Sequence, residues 1–132
     1  MIDLAAAIPA GARLGQLGNE QLTILLGHGV PVIDIRRPYE WEATGVIAGS
    51  LPWTFFDERG GFDLDGWLER LATVAGPDDL FVLVCHLGQR TDLLGRYLAG
   101  ARGYAGVHHL AAGITWWLAE GRPVAAWPDA GA

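Results

Sequence analysis

The residues with the clearest chemical potential surround the single cysteine of the chain, Cys85. A run of apolar residues, 80–84, leads into this cysteine, and a short loop, 86–90, with one glycine and one arginine leads out of it. A helical pattern then begins at Thr91. In α/β proteins this order forms an anion site, because loop N–H groups and the helix dipole point inward. We therefore predict that Cys85 lies at the opening of this loop as a reactive thiolate.

The composition of the chain narrows the class of protein. Its 132 residues are 51% hydrophobic and 18% charged, which predicts one folded domain rather than a disordered chain. A net charge of −6 argues against a general nucleic-acid binder, and no apolar run approaches the length of a membrane span. A lone cysteine excludes an internal disulfide, and the N-terminus does not have the features of a signal peptide. The expected location is the cytoplasm.

Strands alternate with helices in the predicted secondary structure, which is typical of a parallel sheet covered by helices on both faces. The predicted strands are 14–17, 32–36, 46–47, 80–84 and 107–110, and a turn is predicted through Gly49 and Pro52. Ligands bind beyond the carboxyl ends of strands in such sheets. If strands 32–36 and 80–84 are neighbours, their carboxyl ends place Arg36 and Cys85 at the same site.

Asp34 interrupts an apolar strand, so its carboxylate needs a partner. One hypothesis is that it supports the site by pairing with Arg90 or with the N–H groups of the cysteine loop. The other is an ion pair with Arg36 or Arg37. The sequence leaves both open.

Other polar residues have structural interpretations. Arg36, a second candidate for site support, is expected to pair with Glu40 or Glu42 rather than to touch substrate. His108 and His109 are adjacent in a predicted strand, so their side chains are expected on opposite faces. With no further ligand cluster nearby, a zinc site is not expected, and the sequence implies no metal or organic cofactor.

Three segments in order make the chain similar to the single-domain rhodanese (sulfurtransferase) family, from about residue 16 to residue 124. Residues 34–41 resemble the family's Asp-Val-Arg segment and the acidic-aromatic turn after it. Residues 85–91 resemble its active loop. Residues 110–117 and 120–124 resemble its closing Gly-Ile-x-x-Trp and Gly-x-Pro-Val sequences.

The resemblance implies a rhodanese-like three-layer sandwich, with a parallel five-stranded sheet and helices on both faces, and one domain over residues 1–132. Two positions depart from the family pattern. Val46 stands where the family often has a histidine, and Ala111-Ala112 stands where it tends to have Glu-Gly. Neither departure changes the cysteine loop.

The activity that the resemblance implies is sulfur transfer in two steps. Cys85 would take the outer sulfur of a donor such as thiosulfate or glutathione persulfide and become a persulfide. An acceptor thiol, a sulfur-carrier protein or, in the laboratory, cyanide would then remove that sulfur. No membrane or nucleic-acid partner is expected.

The loop after the cysteine is expected to bind the substrate. Gly88 lets the backbone curl so that its N–H groups converge on a charged sulfur chain. Arg90 would dock an anionic donor, and the helix that begins at Thr91 adds its dipole. The predicted substrate-binding residues are His86, Leu87, Gly88, Gln89, Arg90 and Thr91.

Two other functions remain as alternatives. A non-catalytic or sensory rhodanese-like module would bind a partner without needing the thiol. A phosphatase or arsenate reductase would use a related loop that is one residue longer than the four residues between Cys85 and Arg90. The intact cysteine loop argues against the first alternative, and its length argues against the second.

Overall fold

The computed structural model describes residues 2–128, in which helices and strands alternate. The helices are α1 Leu4–Ala7, α2 Asn19–Gly27, α3 Pro38–Thr44, α4 Leu64–Ala72, α5 Gln89–Ala101 and α6 Ile114–Ala119. The strands are β1 Gly15–Leu17, β2 Val32–Asp34, β3 Val46–Ile47, β4 Leu51–Pro52, β5 Phe81–Val84, β6 Val107–Leu110 and β7 Val124–Ala125. No helix within residues 2–128 is long and apolar enough to cross a membrane.

The main sheet has five parallel strands in the order β1-β6-β5-β2-β4. Strand β5, which leads into Cys85, is therefore central, and β2 and β6 are its neighbours. Helices cover both faces, so the predicted class, a three-layer α/β sandwich with a five-stranded parallel sheet, is confirmed. The ends of β2 and β5 lie side by side, as the site prediction requires.

The short strands after α3 differ from the sequence prediction. Residues Val46–Ile47 are extended, but they pair antiparallel with β7 in a separate two-stranded sheet. The fifth strand of the main sheet is Leu51–Pro52, which includes part of the predicted turn and pairs with β2. Proline has no N–H to donate, so a strand that contains it is suited to the edge of a sheet. A strand of two residues is also too short to show the alternation of apolar and polar side chains, so the sequence does not indicate which strand it pairs with.

The alternation of side chains along β5 determines where the cysteine points. Phe81, Leu83 and Cys85 belong to the apolar cluster that includes side chains of α4 and α5. Val82 and Val84 belong to the opposite cluster, with side chains of α2 and α6. Because successive strand residues face opposite sides of a sheet, the thiol is directed to the face that α5 covers.

A buried ion pair closes the carboxyl end of β2. The side chains of Asp34 and Arg36 are each 1% exposed, and Arg36 Nη2 lies 2.9 Å from Asp34 Oδ2. Arg36 Nε also donates to Asp34, Nη1 donates to Thr44 Oγ1, and Nη2 donates in addition to the Gly45 carbonyl. Arg36 therefore joins the strand to the end of α3, and neither side chain bonds to the cysteine loop.

This arrangement decides between the hypotheses for Asp34 and corrects the one for Arg36. The carboxylate of Asp34 pairs with Arg36, the second of the two alternatives, and not with Arg90. The expectation that Arg36 pairs with Glu40 or Glu42 is wrong. A carboxylate inside the core attracts the nearest guanidinium inward, because a buried charge without a partner is costly.

Replacing Arg36 with leucine is expected to lower the free energy of unfolding by about 3–5 kcal/mol, because the Asp34 charge would stay buried without its partner. Urea unfolding at neutral pH measures the change. The control is Arg96→Leu, which breaks the exposed Arg96–Asp92 pair on α5 and should cost about 0.5 kcal/mol or less. Equal losses in the two variants would contradict a special role for the buried pair.

Candidate active site

Cys85 follows the central strand directly, and its thiol is held by groups from the next turn of chain. The Gly88 N–H donates to Sγ at 3.2 Å, and Thr91 Oγ1 lies 3.4 Å from Sγ. The cysteine is 1% exposed, so it lies beneath the loop and not at its opening as the sequence predicts. The reason is the direction of the thiol, which faces the side of the sheet that α5 covers.

Gly88 gives the loop its curvature. Its φ angle is 94°, in the left-handed region that favours glycine, and it is the N-cap of α5. A Cβ atom at this position would also overlap the carbonyl oxygen of Ala111. Backbone conformation and close approach both require glycine here, and this conformation directs the Gly88 N–H toward Cys85.

The segment between β6 and α6 holds the loop from outside. The N–H of Ile114 donates to the Cys85 carbonyl at 2.9 Å, and the hydroxyl of Thr115 donates to the His86 carbonyl at 2.9 Å. Gly113, with φ 72°, lies so close that a Cβ atom there would overlap the His86 carbonyl oxygen. These bonds draw the loop carbonyls toward α6 and leave the Gly88 N–H for the sulfur.

The start of α5 contributes further N–H groups. The first helical hydrogen bond runs from the Asp92 N–H to the Gly88 carbonyl, so the N–H groups of residues 89–91 have no intrahelical acceptor. They also form the positive end of the helix dipole. Within the described residues, however, Gly88 gives the one backbone N–H that bonds to Sγ, fewer than the sequence predicts.

Arg90 is part of a bidentate ion pair between the loop and α3. Its two terminal nitrogens donate to the two carboxylate oxygens of Glu40, both at 2.8 Å. Burial of Glu40 raises the pKa of its carboxyl group, but the hydrogen bond and charge of Arg90, together with smaller effects of Arg37 and Arg36, outweigh burial, so the pKa is lowered overall. The hydrogen bond to Glu40 likewise raises the pKa of Arg90.

This ion pair changes the expected electrostatics of the site. Glu40 neutralises the charge of Arg90, so the docking of an anionic donor by Arg90 stays a prediction. Sequence reasoning missed Glu40 as the partner. The sequence feature that could have indicated this partner is the position of Glu40, three residues after Arg37 at the start of α3. There its carboxylate also accepts the Arg37 N–H, which orients it.

A chain of hydrogen bonds continues from Thr91 into the sheet. Thr91 Oγ1 lies 2.7 Å from Nδ1 of His109, and Nε2 of His109 lies 2.8 Å from Oε1 of Gln16. Burial lowers the pKa of His109, with a smaller opposing effect from Asp92. His109 therefore favours the neutral form in this environment.

Sequence reasoning placed the two adjacent histidines on opposite faces of β6, which is confirmed. His108 is bonded through Nδ1 to the Gly106 carbonyl, whereas His109 faces α5. Sequence reasoning did not connect His109 with the cysteine, because the link runs through Thr91, which lies 18 positions before His109 and meets it only when α5 packs on β6. The available signal was a histidine on the buried side of a strand next to β5.

The remaining predicted substrate-binding residues form the outer surface of the loop. His86, Leu87 and Gln89 are exposed, and Leu87 is 53% exposed. The structure thus brings the six predicted loop residues together around Cys85, some beneath the surface and some on it. In residues 2–128, no group of three or more His, Cys, Asp or Glu side chains is arranged to hold a metal ion.

Comparison with known proteins places this geometry in a family. The family model described as Rhodanese-like domain matches residues 18–120. No curated protein matches the sequence at a significant level.

Solved structures similar to this fold include a rhodanese-related protein from Thermoplasma volcanium, with 22% identity, TM-score 0.61, and coverage of 83% of this chain and 96% of that one. The polysulfide-sulfur transferase of Wolinella succinogenes has 23% identity, TM-score 0.65, and coverage of 92% and 82%. A Rhodopseudomonas palustris protein of unknown function, described as a possible tyrosine phosphatase, has 25% identity, TM-score 0.63, and coverage of 93% and 94%.

The Glu40–Arg90 pair predicts a pH-dependent contribution to stability. Because the folded-state pKa of Glu40 is lowered, this contribution is complete above the unfolded pKa and is lost as pH falls through the folded pKa. Glu40→Gln should therefore lower the free energy of unfolding at pH 7 by about 1–3 kcal/mol, and by much less in acid.

Urea unfolding of both proteins across this pH range measures the difference. The matched control is Glu42→Gln, since Glu42 is exposed on the same helix. A difference between wild type and Glu40→Gln that stays constant down to the most acidic pH would count against the ion pair as its source.

Proposed function

The chain belongs to the rhodanese-like domain family, and from that premise we propose that it is a sulfurtransferase of the thiosulfate sulfurtransferase type with Cys85 as its nucleophile. The observation that carries the proposal is the hydrogen bond from the Gly88 N–H to Sγ at the positive end of α5. Together, this donor and the helix dipole would stabilise negative charge on the sulfur during the reaction. A merely structural cysteine has no need for either.

In the first step, the Cys85 thiolate attacks the outer sulfur of the donor. With thiosulfate, a bond forms between Sγ and that sulfur, the S–S bond of thiosulfate breaks, and sulfite leaves with the electron pair. Cys85 becomes a persulfide, whose charge lies on the terminal sulfur. The N–H groups of residues 89–91, which have no intrahelical acceptor, would supply donors for that charge at the start of α5.

In the second step, an acceptor attacks the terminal sulfur. The bond from this sulfur to Sγ breaks, Cys85 recovers its thiolate, and the acceptor leaves as a persulfide or, for cyanide, as thiocyanate. The proposed donors are small sulfane-sulfur compounds such as thiosulfate or glutathione persulfide. The proposed acceptors are a thiol or a sulfur-carrier protein, and the similarity to a polysulfide-sulfur transferase supports this substrate class.

Burial of the thiol adds a requirement to this mechanism. Because Cys85 is 1% exposed, a donor reaches Sγ only when the loop over it opens. Residues 86, 87 and 89, which form the outer part of that loop, are already exposed to solvent. We infer that opening precedes attack and that a small donor needs less opening than a bulky one.

The same burial favours a second candidate function, a rhodanese-like module that binds a partner without chemistry. The exposed side chains of Leu87 and Trp116 would serve such a module as contact surface. A phosphatase is disfavoured by the loop, which has four residues between Cys85 and Arg90 and is short for a tetrahedral oxyanion.

Incubation with thiosulfate should add the mass of one sulfur atom to the protein, because the loop stabilises the Cys85 persulfide. Intact-protein mass spectrometry measures the gain, which should disappear on addition of cyanide with release of thiocyanate. Cys85→Ser is the control and should gain nothing.

Two outcomes would contradict the proposal. No mass gain with thiosulfate, glutathione persulfide or polysulfide would support the non-catalytic module. Turnover of an aryl phosphate without sulfur transfer would support a phosphatase.

Replacing Gly88 with alanine should abolish most of the sulfur transfer, because the new Cβ displaces the loop from Ala111 and moves the N–H away from Sγ. The matched control is Gly103→Ala. Gly103 has a similar positive φ of 74° but no atom within 4 Å of an added Cβ. Gly103→Ala should lower the free energy of unfolding by about 1 kcal/mol and leave sulfur transfer intact. Equal activities of the two variants, measured as thiocyanate formation, would rule out this role for Gly88.

A further inference from the structure

A buried histidine shares a hydrogen-bond chain with the cysteine. The chain runs from Cys85 Sγ to Thr91 Oγ1 at 3.4 Å, then to His109 Nδ1 at 2.7 Å, and from His109 Nε2 to Gln16 Oε1 at 2.8 Å. His109 and Thr91 are 2% and 0% exposed, so water does not compete for the bonds that join the sulfur, Thr91 and His109, whereas Gln16 at the end of the chain is exposed. The two steps of the proposed sulfur transfer give His109 no part.

The orientation of Gln16 assigns the protons along this chain. Its side-chain amide nitrogen donates to the Leu14 carbonyl at 3.2 Å, which turns the oxygen Oε1 toward His109. An oxygen accepts, so His109 Nε2 carries the proton of the neutral ring. Nδ1 then has a free electron pair, which accepts the Thr91 hydroxyl.

Thr91 is left with lone pairs for the thiol. Its hydroxyl has a second acceptor in reach, the Gly88 carbonyl at 3.2 Å, but His109 Nδ1 is closer at 2.7 Å. With the hydroxyl hydrogen on His109, the Thr91 oxygen accepts from the S–H of Cys85. Every group from the thiol to the ring is then arranged to move one proton inward.

We propose that His109 is a positioning residue that receives the Cys85 proton through the Thr91 hydroxyl and so generates the thiolate inside the closed site. This inference rests on the proposed function, because it supplies the nucleophile of the first step.

The proton balance of the transfer is complete within the protein. The S–H bond of Cys85 breaks as an O–H bond forms on Thr91. The original O–H bond of Thr91 breaks as an N–H bond forms at His109 Nδ1. The products are a thiolate and an imidazolium, so net charge is unchanged and no other reactant takes part.

The surroundings of His109 suit a base that stays neutral until it is used. Burial lowers the pKa of His109, which keeps Nδ1 unprotonated at rest. The charged residues that affect it are Asp92 and Arg96 on α5, with opposite effects. They pair with each other at 2.9 Å. From β1 and β5, the facing groups are the neutral Gln16 amide and Cys85 itself, and once ionised the thiolate stabilises the imidazolium.

Alkylation of Cys85 by iodoacetamide tests the relay, because the reagent is small, neutral and consumes the thiolate. The chain has one cysteine, so the mass gain reports this residue alone. In His109→Gln and Thr91→Val, the rate at neutral pH should fall about tenfold, equivalent to raising the ionisation midpoint by one pH unit. The deficit should vanish at high pH, where hydroxide removes the proton directly.

Two further variants separate the relay from packing. Thr91→Ser keeps the hydroxyl and should retain most of the wild-type rate, whereas Thr91→Val keeps the volume without it. His108→Gln changes the adjacent histidine, which bonds to Gly106 on the other face, and should leave the rate profile unchanged. If His109→Gln fails to fold, judged by circular dichroism, the Thr91→Val and Thr91→Ser pair carries the test.

Wild-type rates at neutral pH in His109→Gln or Thr91→Val would overturn the relay, as would a deficit that persists unchanged at high pH. Because alkylation needs no sulfur donor, this result is independent of the thiosulfate experiment. A relay without sulfur transfer would refute the proposed function alone, and sulfur transfer without pH-dependent deficits would refute the relay alone.

Discussion

The contact between the cysteine loop and the segment that leads from β6 into α6 determines the geometry at the thiol. Gly88 and Gly113 allow the two segments to touch, and N–H groups from α6 take the loop carbonyls. Once those carbonyls are occupied, the Gly88 N–H is directed at Cys85. The polarity around the sulfur therefore depends on a backbone-to-backbone fit that side chains larger than hydrogen would prevent.

Two ion pairs give the site rigidity without giving it net charge. Asp34–Arg36 ties the end of β2 to α3, and Glu40–Arg90 ties α3 to the start of α5. Both pairs are neutral overall, so the positive potential at the loop comes from the helix dipole and backbone N–H groups. In the proposed sulfur transfer, such fixed dipoles would need little reorganisation as charge moves from Sγ to the outer sulfur of a persulfide.

The sequence predicts well what depends on local pattern. The strand into Cys85, the loop with its glycine and the helix after it follow from a few neighbouring residues, and the structure has all three. The sequence predicts poorly which residues far apart along the chain come into contact. The pairing of β4 with β2, of Glu40 with Arg90 and of Thr91 with His109 depends on the order of strands and the packing of helices on them. No local pattern encodes that order, so the sequence predicts a near-neighbour partner for Arg36 and leaves the partner of Asp34 open.

Burial of Cys85 makes these distant contacts matter more. Because water is excluded from the sulfur, electrostatic interactions there are weakly screened. The Gly88 N–H and the start of α5 would therefore stabilise a thiolate more strongly than they could in water. The same exclusion of water removes the usual acceptor for the thiol proton. A closed site of this kind needs an acceptor within the protein, and the described contacts connect Cys85 to one, His109, through a single hydroxyl. The burial that limits access to the thiol is thus the reason that an internal base is useful.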